Sequence, residues 1–266
     1  GSYSTNPYDG EVRIREYKQM VQALHAAGIG VVMDVVYNHT YDANSSFNKI
    51  VPYYYYRYTA TGANSSASGC GNDTASERYM YGKFMVDSVR YWADEYDLDG
   101  FRFDLMGLHD LATMQEVENA IHTVNPEAII YGEGWTMGST IDGSPMANQT
   151  QISKIEKLEG SIGGIAVFND AIRDGLKGSV FTATSKGYIS GSAKGNWNKV
   201  LFSIKGGKGV ATSVGIFAVC CPVAIIVGLI VFALCTIVTR YVSLGSVIAA
   251  VTVVILSIIF YTLLYL

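Results

Sequence analysis

Apolar residues recur at helical spacing in three segments of the first half of the chain. Most neighbours within a segment are three or four positions apart, which places them on one face of a helix. Gly28 follows the first segment, and glycine is the usual residue where a helix ends in a left-handed conformation. The three predicted helices carry the stripes Ile14, Tyr17, Met20, Val21 and Leu24; Met80, Phe84, Ser88, Tyr91 and Trp92; and Leu111, Met114, Val117, Ile121 and Val124.

Four short apolar runs accompany these helices. The first run, Ile29–Val36, is continuous, as is typical of a parallel strand buried on both faces. The next segment, Tyr37–Ser76, is rich in Asn, Ser, Tyr and Gly and is predicted to be a long loop, functional or disordered. The other predicted strands are Leu98–Asp104, Ala128–Gly132 and Ile165–Phe168. Alternating strands and helices predict an α/β fold with a parallel sheet.

The C-terminal part of the chain has a different pattern. Gly209–Thr239 and Tyr241–Leu266 are free of charged residues, and each exceeds the roughly 20 apolar residues that a helix needs to cross a bilayer. They predict two transmembrane helices, with the lipid bilayer as partner and membrane association through residues 210–266. A buried hairpin of a soluble domain is the alternative. Lys205 and Lys208 precede the first span, which predicts that the body of the protein lies on the cytoplasmic side.

The content of charged residues also changes where the C-terminal apolar segments begin. The 266 residues include 19 Lys and Arg and 23 Asp and Glu, and the formal net charge is −4. From Gly209 onward the only charged side chain is that of Arg240. The remaining body is mildly acidic, which argues against the basic surface that nucleic-acid binding requires. We therefore predict two domains, residues 1–200 and residues 201–266, and no nucleic-acid partner.

Two carboxylates stand where predicted strands end. Asp104 ends the second strand and Glu133 follows the third, and the carboxyl ends of parallel strands meet at one edge of a sheet. Two converging carboxylates suit the cleavage of a glycosidic bond, in which one attacks and the other donates a proton. Arg102, two residues before Asp104, can keep that carboxylate ionised. Alternatively, the two carboxylates only cap the helices that follow.

Motifs at these strand ends resemble glycoside hydrolase family 13, and within it the type I pullulanases. The three motifs are Asp34-Val-Val-Tyr-Asn-His-Thr40, Gly100-Phe-Arg-Phe-Asp-Leu-Met106 and Tyr131-Gly-Glu-Gly-Trp135, and the connecting segments Gly1–Gly10 and Ser68–Arg78 resemble the family too. The resemblance runs from Gly1 to about Phe181. It implies a (β/α)8 TIM barrel that cleaves α-glucans with retention, chiefly at α-1,6 branches.

The resemblance also implies roles for individual residues. Asp104 would be the nucleophile, Glu133 the general acid and base, and Arg102 the residue that orients Asp104. The residues assigned to binding of the α-glucan (pullulan, starch or glycogen) are Asp34, Asn38, His39, His109 and Trp135. No cofactor is required, and Asn38 with nearby loop carbonyls is a candidate site for Ca²⁺. The run Tyr53–Tyr56 is open to two interpretations, a sugar platform or a packing cluster of the loop.

Two departures from the family bear on activity. The family needs a further catalytic-site Asp, preceded by His, on a later strand, and no His-Asp pair follows Phe168. The sequence also opens after the first two barrel strands, and a closed barrel takes about 250 residues. We therefore predict a partial barrel of about four strands. Our hypothesis is that this body hydrolyses little or nothing alone.

A glycine-rich segment precedes the first predicted span. It reads Lys205-Gly-Gly-Lys-Gly-Val-Ala-Thr-Ser213, and with Thr239–Ser246 it resembles the membrane acyl-phosphate:glycerol-3-phosphate acyltransferase family over about Lys205–Leu266. Backbone amides at a helix N-terminus together with lysines suit a phosphate. The predicted phosphate-binding residues are Lys205, Gly206, Gly207, Lys208 and Gly209. A flexible linker is the alternative.

The two parts of the chain thus resemble unrelated families. We predict a composite of two fragments that join between about Thr182 and Lys205, with a natural fusion as the alternative. Three functions follow: a fragment of an α-glucan hydrolase, a fragment of a membrane glycerol-3-phosphate acyltransferase of phospholipid synthesis, or a non-catalytic, membrane-anchored glucan-binding module.

Overall fold

The computed structural model describes residues 3–192 and five positions of the tail, which are Val227, Ile230, Val231, Leu234 and Thr252. The chain divides into two compact units, Gly1–Phe168 and Asn169–Leu266. The predicted domain boundary near residue 200 and nearly all of the two predicted membrane spans lie outside the described residues. Along the described part of the chain, no helix is both long and apolar enough to cross a bilayer. The spans and the bilayer therefore stay predictions.

The first unit contains a four-stranded parallel sheet. Its strands are β1 (Val32–Val35), β2 (Gly100–Phe103), β3 (Ile129–Gly132) and β4 (Ile165–Val167), and they pair in that order. Asp34 is the register partner of Arg102, and Arg102 that of Tyr131. All four strands lie inside the predicted runs, so the predicted α/β class with a parallel sheet is confirmed.

Within residues 3–192, four helices belong to the first unit and one to the second. They are α1 (Gly10–Ala26), α2 (Ser46–Ile50), α3 (Tyr79–Tyr96), α4 (Leu111–Val124) and, in the second unit, α5 (Asp170–Lys177). Short polar side chains start three of them by accepting backbone N–H groups that have no partner inside the helix. Asp9 accepts from Glu11 and Val12, Asp110 from Thr113, and Asn169 from Ile172.

The hydrophobic core lies against one face of the sheet. Phe101, Phe103 and Ile130 of the sheet are buried together with residues of α3 and α4, among them Met85, Val89, Met114, Val117 and Ile121. Full burial of one such side chain stabilises the fold by about 1.5–3 kcal/mol. On α4 the buried residues match the predicted stripe in Met114, Val117 and Ile121.

The buried face of α3 differs from the predicted one. Met80, Phe84 and Tyr91 of the predicted stripe are exposed, whereas Tyr81, Met85 and Val89 are buried. Apolar residues lie on both sides of the polar stripe Lys83, Asp87, Arg90 and Asp94, so the sequence is compatible with more than one buried face. Close packing against the neighbouring helix decides which face is buried. Gly82 turns toward the neighbouring helix, and a Cβ at this position would lie 2.9 Å from Oγ1 of Thr113. Only the face that carries this glycine can approach so closely.

The first strand is buried on one face only, and the prediction of burial on both faces is wrong. Val31 and Val35 lie in the core, while Val32 and Val36 are exposed. In a strand successive side chains point to opposite faces, and the core with α3 and α4 lies on only one face of this sheet. The open face is the one that carries the polar residues described next.

Candidate active site

One arginine contacts three carboxylates at the carboxyl edge of the sheet. Nη1 of Arg102 lies 2.8 Å from Oδ1 of Asp34 and 3.0 Å from Oδ1 of Asp104. Its Nη2 lies 2.7 Å from Oε1 of Glu133. Burial alone would lower the pKa of Arg102, but the hydrogen bonds to Asp34 and Asp104 and the charge of Glu133 raise it above its ordinary value. The guanidinium therefore stays charged and offsets the repulsion among the three carboxylates.

The parallel register brings these residues together. Asp104 directly follows β2, and its N–H donates to the carbonyl of Val35 at 3.0 Å. Glu133 directly follows β3, and its N–H donates to the carbonyl of Phe103 at 3.1 Å. Each carboxylate residue thus extends the ladder one position beyond its strand. Both side chains are partly exposed at the edge of the sheet.

The residue after Asp104 has a strained backbone. Leu105 has φ 40° and ψ 44°, in the left-handed region that a branched side chain rarely adopts. In this conformation its N–H donates to Oε2 of Glu133 at 3.1 Å. Such strain persists where the surrounding structure determines the geometry, and it clusters at functional sites. Glu133 is therefore held at one oxygen by Arg102 and at the other by Leu105.

Gly107 brings the segment after β2 into contact with the segment after β3. Its N–H donates to the carbonyl of Glu133 at 2.9 Å. A Cβ at position 107 would lie 2.0 Å from the carbonyl oxygen of Trp135, so no larger residue fits without movement of the backbone. Trp135 itself is half-buried. This close approach fixes Glu133 and Trp135 relative to Asp104.

Asn38 links the long loop to Asp104. It is buried, and its Nδ2 donates to the backbone carbonyl of Asp104 at 2.7 Å and to Oδ2 of the same residue at 3.1 Å. Its Oδ1 lies 2.6 Å from Nδ1 of His39. Because an amide oxygen only accepts, Nδ1 of His39 must carry the proton. The two oxygens of Asp104 thus have different partners, Arg102 and Asn38.

His109 lies in the core beside this site and not on its surface. It is fully buried, and within the described residues neither ring nitrogen has a hydrogen-bond partner. Burial, followed by the charge of Arg57, lowers the pKa of His109 to about 3, although the charge of Asp104 opposes the shift. The ring is therefore neutral at physiological pH. Complete burial leaves no surface for a glucan to touch, so its predicted contact with substrate lacks structural support.

A buried ion pair that the sequence did not suggest joins three loops at this edge. Nη2 of Arg57 lies 2.7 Å from Oε2 of Glu77, and both side chains are only 3% exposed. Nη1 of Arg57 donates to the carbonyl of Leu108 at 2.8 Å, and Oε1 of Glu77 accepts from the N–H of Ile141 at 2.7 Å. No periodicity marks such a pair, because its partners lie 20 positions apart.

The described residues contain no cluster of three or more His, Cys, Asp or Glu that could hold a metal ion. Asn38, the candidate Ca²⁺ ligand, already uses its amide nitrogen on Asp104 and its oxygen on His39. It does not fit a Ca²⁺ site in this arrangement, and calcium binding stays a prediction. The predicted phosphate-binding residues Lys205–Gly209 lie outside the described part of the chain.

The first unit resembles pullulanases in both sequence and structure. Over 210 residues the chain is 38% identical to the pullulanase of Bacillus subtilis, covering 79% of this chain and 28% of that protein. It is 40% identical over 206 residues to the chloroplastic pullulanase 1 of Arabidopsis thaliana, covering 72% and 20% of the two chains. The chain thus spans about a quarter of the length of these relatives.

Solved structures give the same result. The pullulanase of Anoxybacillus sp. LM18-11 complexed with maltotetraose matches with a TM-score of 0.71 and 42% identity, covering 77% of this chain and 29% of that one. The pullulanase of Paenibacillus barengoltzii in complex with maltohexaose and α-cyclodextrin matches with a TM-score of 0.66 and 44% identity, covering 71% and 28%. The N-terminal part of the chain is therefore pullulanase-like.

The C-terminal part matches a different family. The family model for glycerol-3-phosphate acyltransferase matches residues 163–266. The match begins before Lys205, where the sequence suggested that the resemblance starts, and it includes β4 of the sheet. The two similarities therefore overlap along the chain. Together they confirm a two-part composite with pullulanase-like and acyltransferase-like regions.

Proposed function

We propose that the carboxyl edge of the sheet is an α-glucan site of the pullulanase type, in which Asp104 and Glu133 cleave α-1,6-glucosidic bonds with retention. The observation that carries the proposal is the single guanidinium of Arg102, which bonds both carboxylates. They belong to neighbouring strands and approach the same open side of the sheet. A retaining glycosidase needs two carboxyl groups that converge on one sugar, about 5–5.5 Å apart, and a guanidinium that bonds both carboxylates supports such a convergence.

In the proposed reaction the two carboxylates have different tasks. The Asp104 carboxylate attacks the anomeric carbon while the Glu133 carboxyl gives its proton to the departing glycosidic oxygen, which leaves a glycosyl ester on Asp104. Glu133 then takes a proton from water while the water oxygen attacks the anomeric carbon, which breaks the bond from that carbon to the ester oxygen and releases the Asp104 carboxylate. Arg102 and Asn38 fix the orientation of Asp104, and Asp34, His39 and Trp135 are proposed to bind the sugar.

We also propose that this chain alone turns over glucan slowly or not at all. The side chain of Asp34 is 66% exposed, and the apolar residues Val32 and Ile129 of the same open face are exposed as well. Water reaches this open face, which weakens the electrostatic interactions that the reaction uses. An open site also positions the sugar less strictly, and a misplacement of about 1 Å can cost a factor of about 100 in rate.

The test compares the full chain, purified in detergent, with the Asp104→Asn and Glu133→Gln variants. We expect measurable binding of maltotetraose by isothermal titration calorimetry, and hydrolysis of pullulan at least about 100-fold slower than that of the Bacillus subtilis pullulanase under the same conditions. Any residual hydrolysis should disappear in both variants. Hydrolysis at the rate of that reference enzyme would refute the low activity, and residual hydrolysis that survives both substitutions would refute the site.

A second candidate function rests on the family match at residues 163–266. Under this proposal the C-terminal part transfers an acyl group to glycerol 3-phosphate at a membrane, with Lys205–Gly209 holding the phosphate. Incubation of the full chain in lipid vesicles with acyl phosphate and labelled glycerol 3-phosphate tests it. The Lys208→Gln variant is the control. Formation of labelled lysophosphatidate that depends on Lys208 supports the proposal, and no product from the intact chain contradicts it.

The third candidate, a membrane-anchored glucan-binding module, predicts a different result. Under this candidate the chain is retained on immobilised starch and releases no soluble product. Binding then requires no catalytic contribution from Glu133. Unchanged starch retention in the Glu133→Gln variant, together with no detectable hydrolysis by the intact chain, would favour this module over the hydrolase.

A further inference from the structure

The structure gives the tyrosines of Tyr53–Tyr56 different surroundings, and Tyr54 packs its ring 5.0 Å from that of Tyr55. Tyr56 is fully buried and its hydroxyl lies 2.7 Å from Oγ1 of Thr40. The ring of Tyr55 packs 4.9 Å from that of Phe47, at the edge of the core. Tyr53, in contrast, is 72% exposed. The packing interpretation thus accounts for Tyr55 and Tyr56, while Tyr53 needs another explanation.

Tyr53 is held outward by its backbone. Its φ is 64°, a left-handed conformation that is unfavourable for an aromatic residue. The side chain of Asn48 fixes this conformation, because its Oδ1 accepts the N–H of Tyr53 at 2.9 Å while its Nδ2 donates to the carbonyl of Ala43 at 3.0 Å. Both the strain and the exposure of a large ring are unfavourable for folding alone, and such sites are candidates for function.

A second ring completes a surface with Tyr53. The ring of Tyr58 lies 5.4 Å from that of Tyr53, at an interplanar angle of 55°. The hydroxyl of Tyr58 lies 3.4 Å from Oδ1 of Asn48. The same amide therefore contacts both tyrosines, and their relative position is fixed before any ligand binds. We call Tyr53, Tyr58 and Asn48 the tyrosine platform.

The surroundings of the platform indicate the chemistry of its ligand. Between residues 50 and 72 the only charged residue is Arg57, and it is buried in the pair with Glu77. The exposed or partly exposed polar side chains of this stretch carry hydroxyl and amide groups, and exposed apolar side chains such as Ile50 and Val51 accompany them. The polar ones belong to Thr59, Thr61, Asn64, Ser65, Ser66 and Ser68. A surface of flat rings and neutral polar groups suits a neutral, polyhydroxylated ligand. It does not suit a nucleic acid or a strongly charged peptide.

We propose that the tyrosine platform is an accessory binding site for an α-glucan chain, separate from the residues around Asp104 and Glu133. The apolar face of a glucosyl ring would stack on Tyr53, and the phenol hydroxyls and the neighbouring neutral side chains would bond the sugar hydroxyls. The inference shares its class of ligand with the proposed function but none of its residues.

Substitution of Tyr53 by glycine separates this role from a structural one. Tyr53→Gly removes the ring and relieves the left-handed strain, so we expect the midpoint of urea unfolding to stay equal or rise. The dissociation constant for soluble starch, measured for the full chain in detergent by affinity electrophoresis, should rise roughly threefold to tenfold. Tyr79→Ala is the matched control, because Tyr79 is 76% exposed. It should leave starch affinity unchanged.

Three outcomes would overturn the proposal. The first is unchanged starch affinity in Tyr53→Gly. The second is an equal loss of starch affinity in Tyr79→Ala. The third is that Tyr53→Gly loses binding to phosphatidylcholine vesicles while its starch affinity stays unchanged. The test of the platform and the test of the proposed hydrolase site can fail independently of each other. Residual pullulan hydrolysis that survives Asp104→Asn and Glu133→Gln, with starch still retained through Tyr53, would refute the hydrolase site and support the platform. Hydrolysis that depends on both carboxylates, with starch affinity unchanged in Tyr53→Gly, would refute only the platform.

Discussion

The backbone N–H of Leu105 donates a hydrogen bond to Oε2 of Glu133 across 3.1 Å, and Leu105 has a left-handed backbone where it does so. The residue that follows one candidate catalytic carboxylate thus positions the other. Arg102 holds the second oxygen of Glu133 at 2.7 Å. Both contacts come from the β2 strand and its end, so the geometry of Asp104 and that of Glu133 are coupled through one short segment.

Strain at Leu105 leads to the first prediction. Leu105→Gly is expected to be more stable to urea unfolding than Leu105→Ala, by about 1 kcal/mol, because a Cβ in the left-handed region costs about 1–2 kcal/mol and the backbone entropy of glycine offsets part of that gain. The same pair of substitutions at the exposed helical residue Arg90 should give the opposite order. If alanine is the more stable residue at both positions, Leu105 is not strained.

Removal of the guanidinium should expose the three carboxylates to their mutual repulsion. Arg102→Gln is expected to lower the free energy of unfolding by about 1–3 kcal/mol at pH 7, because hydrogen bonds to charged groups are lost and like charges remain close. The loss should shrink at high salt, which screens the repulsion between partly exposed charges. Arg102→Lys keeps the charge without the planar geometry, and its stability should lie between that of the wild type and that of Arg102→Gln. A loss that is equal at low and high salt would contradict this explanation.

The buried pair of Arg57 and Glu77 should contribute more than an exposed one. Glu77→Gln leaves the charge of Arg57 buried without its partner, and we expect a loss of about 3–5 kcal/mol in the free energy of unfolding. The control is Glu95→Gln, which removes the exposed partner of Lys18 and should cost at most about 1 kcal/mol. Hydrogen–deuterium exchange at Ile141 should also increase in the Glu77 variant alone. Similar losses in both variants would show that burial is unimportant here.

His109 should make stability depend on pH below neutrality. Its pKa is about 3 in the folded chain and about 6.5 in an unfolded chain, so only the unfolded state gains a proton between these values. Stability from the neutral ring is complete above about pH 6.5 and is lost as the pH falls toward 3, by up to about 1.4 kcal/mol per pH unit. The difference in unfolding free energy between wild type and His109→Gln, measured from pH 4 to 8, should be flat above pH 7. A difference that stays flat from pH 4 to pH 8 would refute this contribution of His109.

Local sequence pattern predicted the order of the elements well, because the hydrophobic period of a strand or helix is written in neighbouring residues. The stripe on α4 and the positions of all four strands follow from it. The positions of Asp104 and Glu133 also follow, since parallel strands of one sheet end at one edge. The two-part character of the chain could be inferred as well, because motifs and charge content change along the sequence itself.

Local patterns and motifs were thus enough to predict the α/β class, the edge at which the carboxylates stand and the division into two parts. Three features became visible only in the folded chain. They are the buried face of α3, the outward position of Tyr53, and the way in which Arg102, Leu105 and Asn38 contact different oxygens of Asp104 and Glu133. These features depend on contacts between residues far apart in the sequence. Close approach at Gly82 and the left-handed backbone of Leu105 exist because packing of the whole unit overrides local preference, and no local pattern records that.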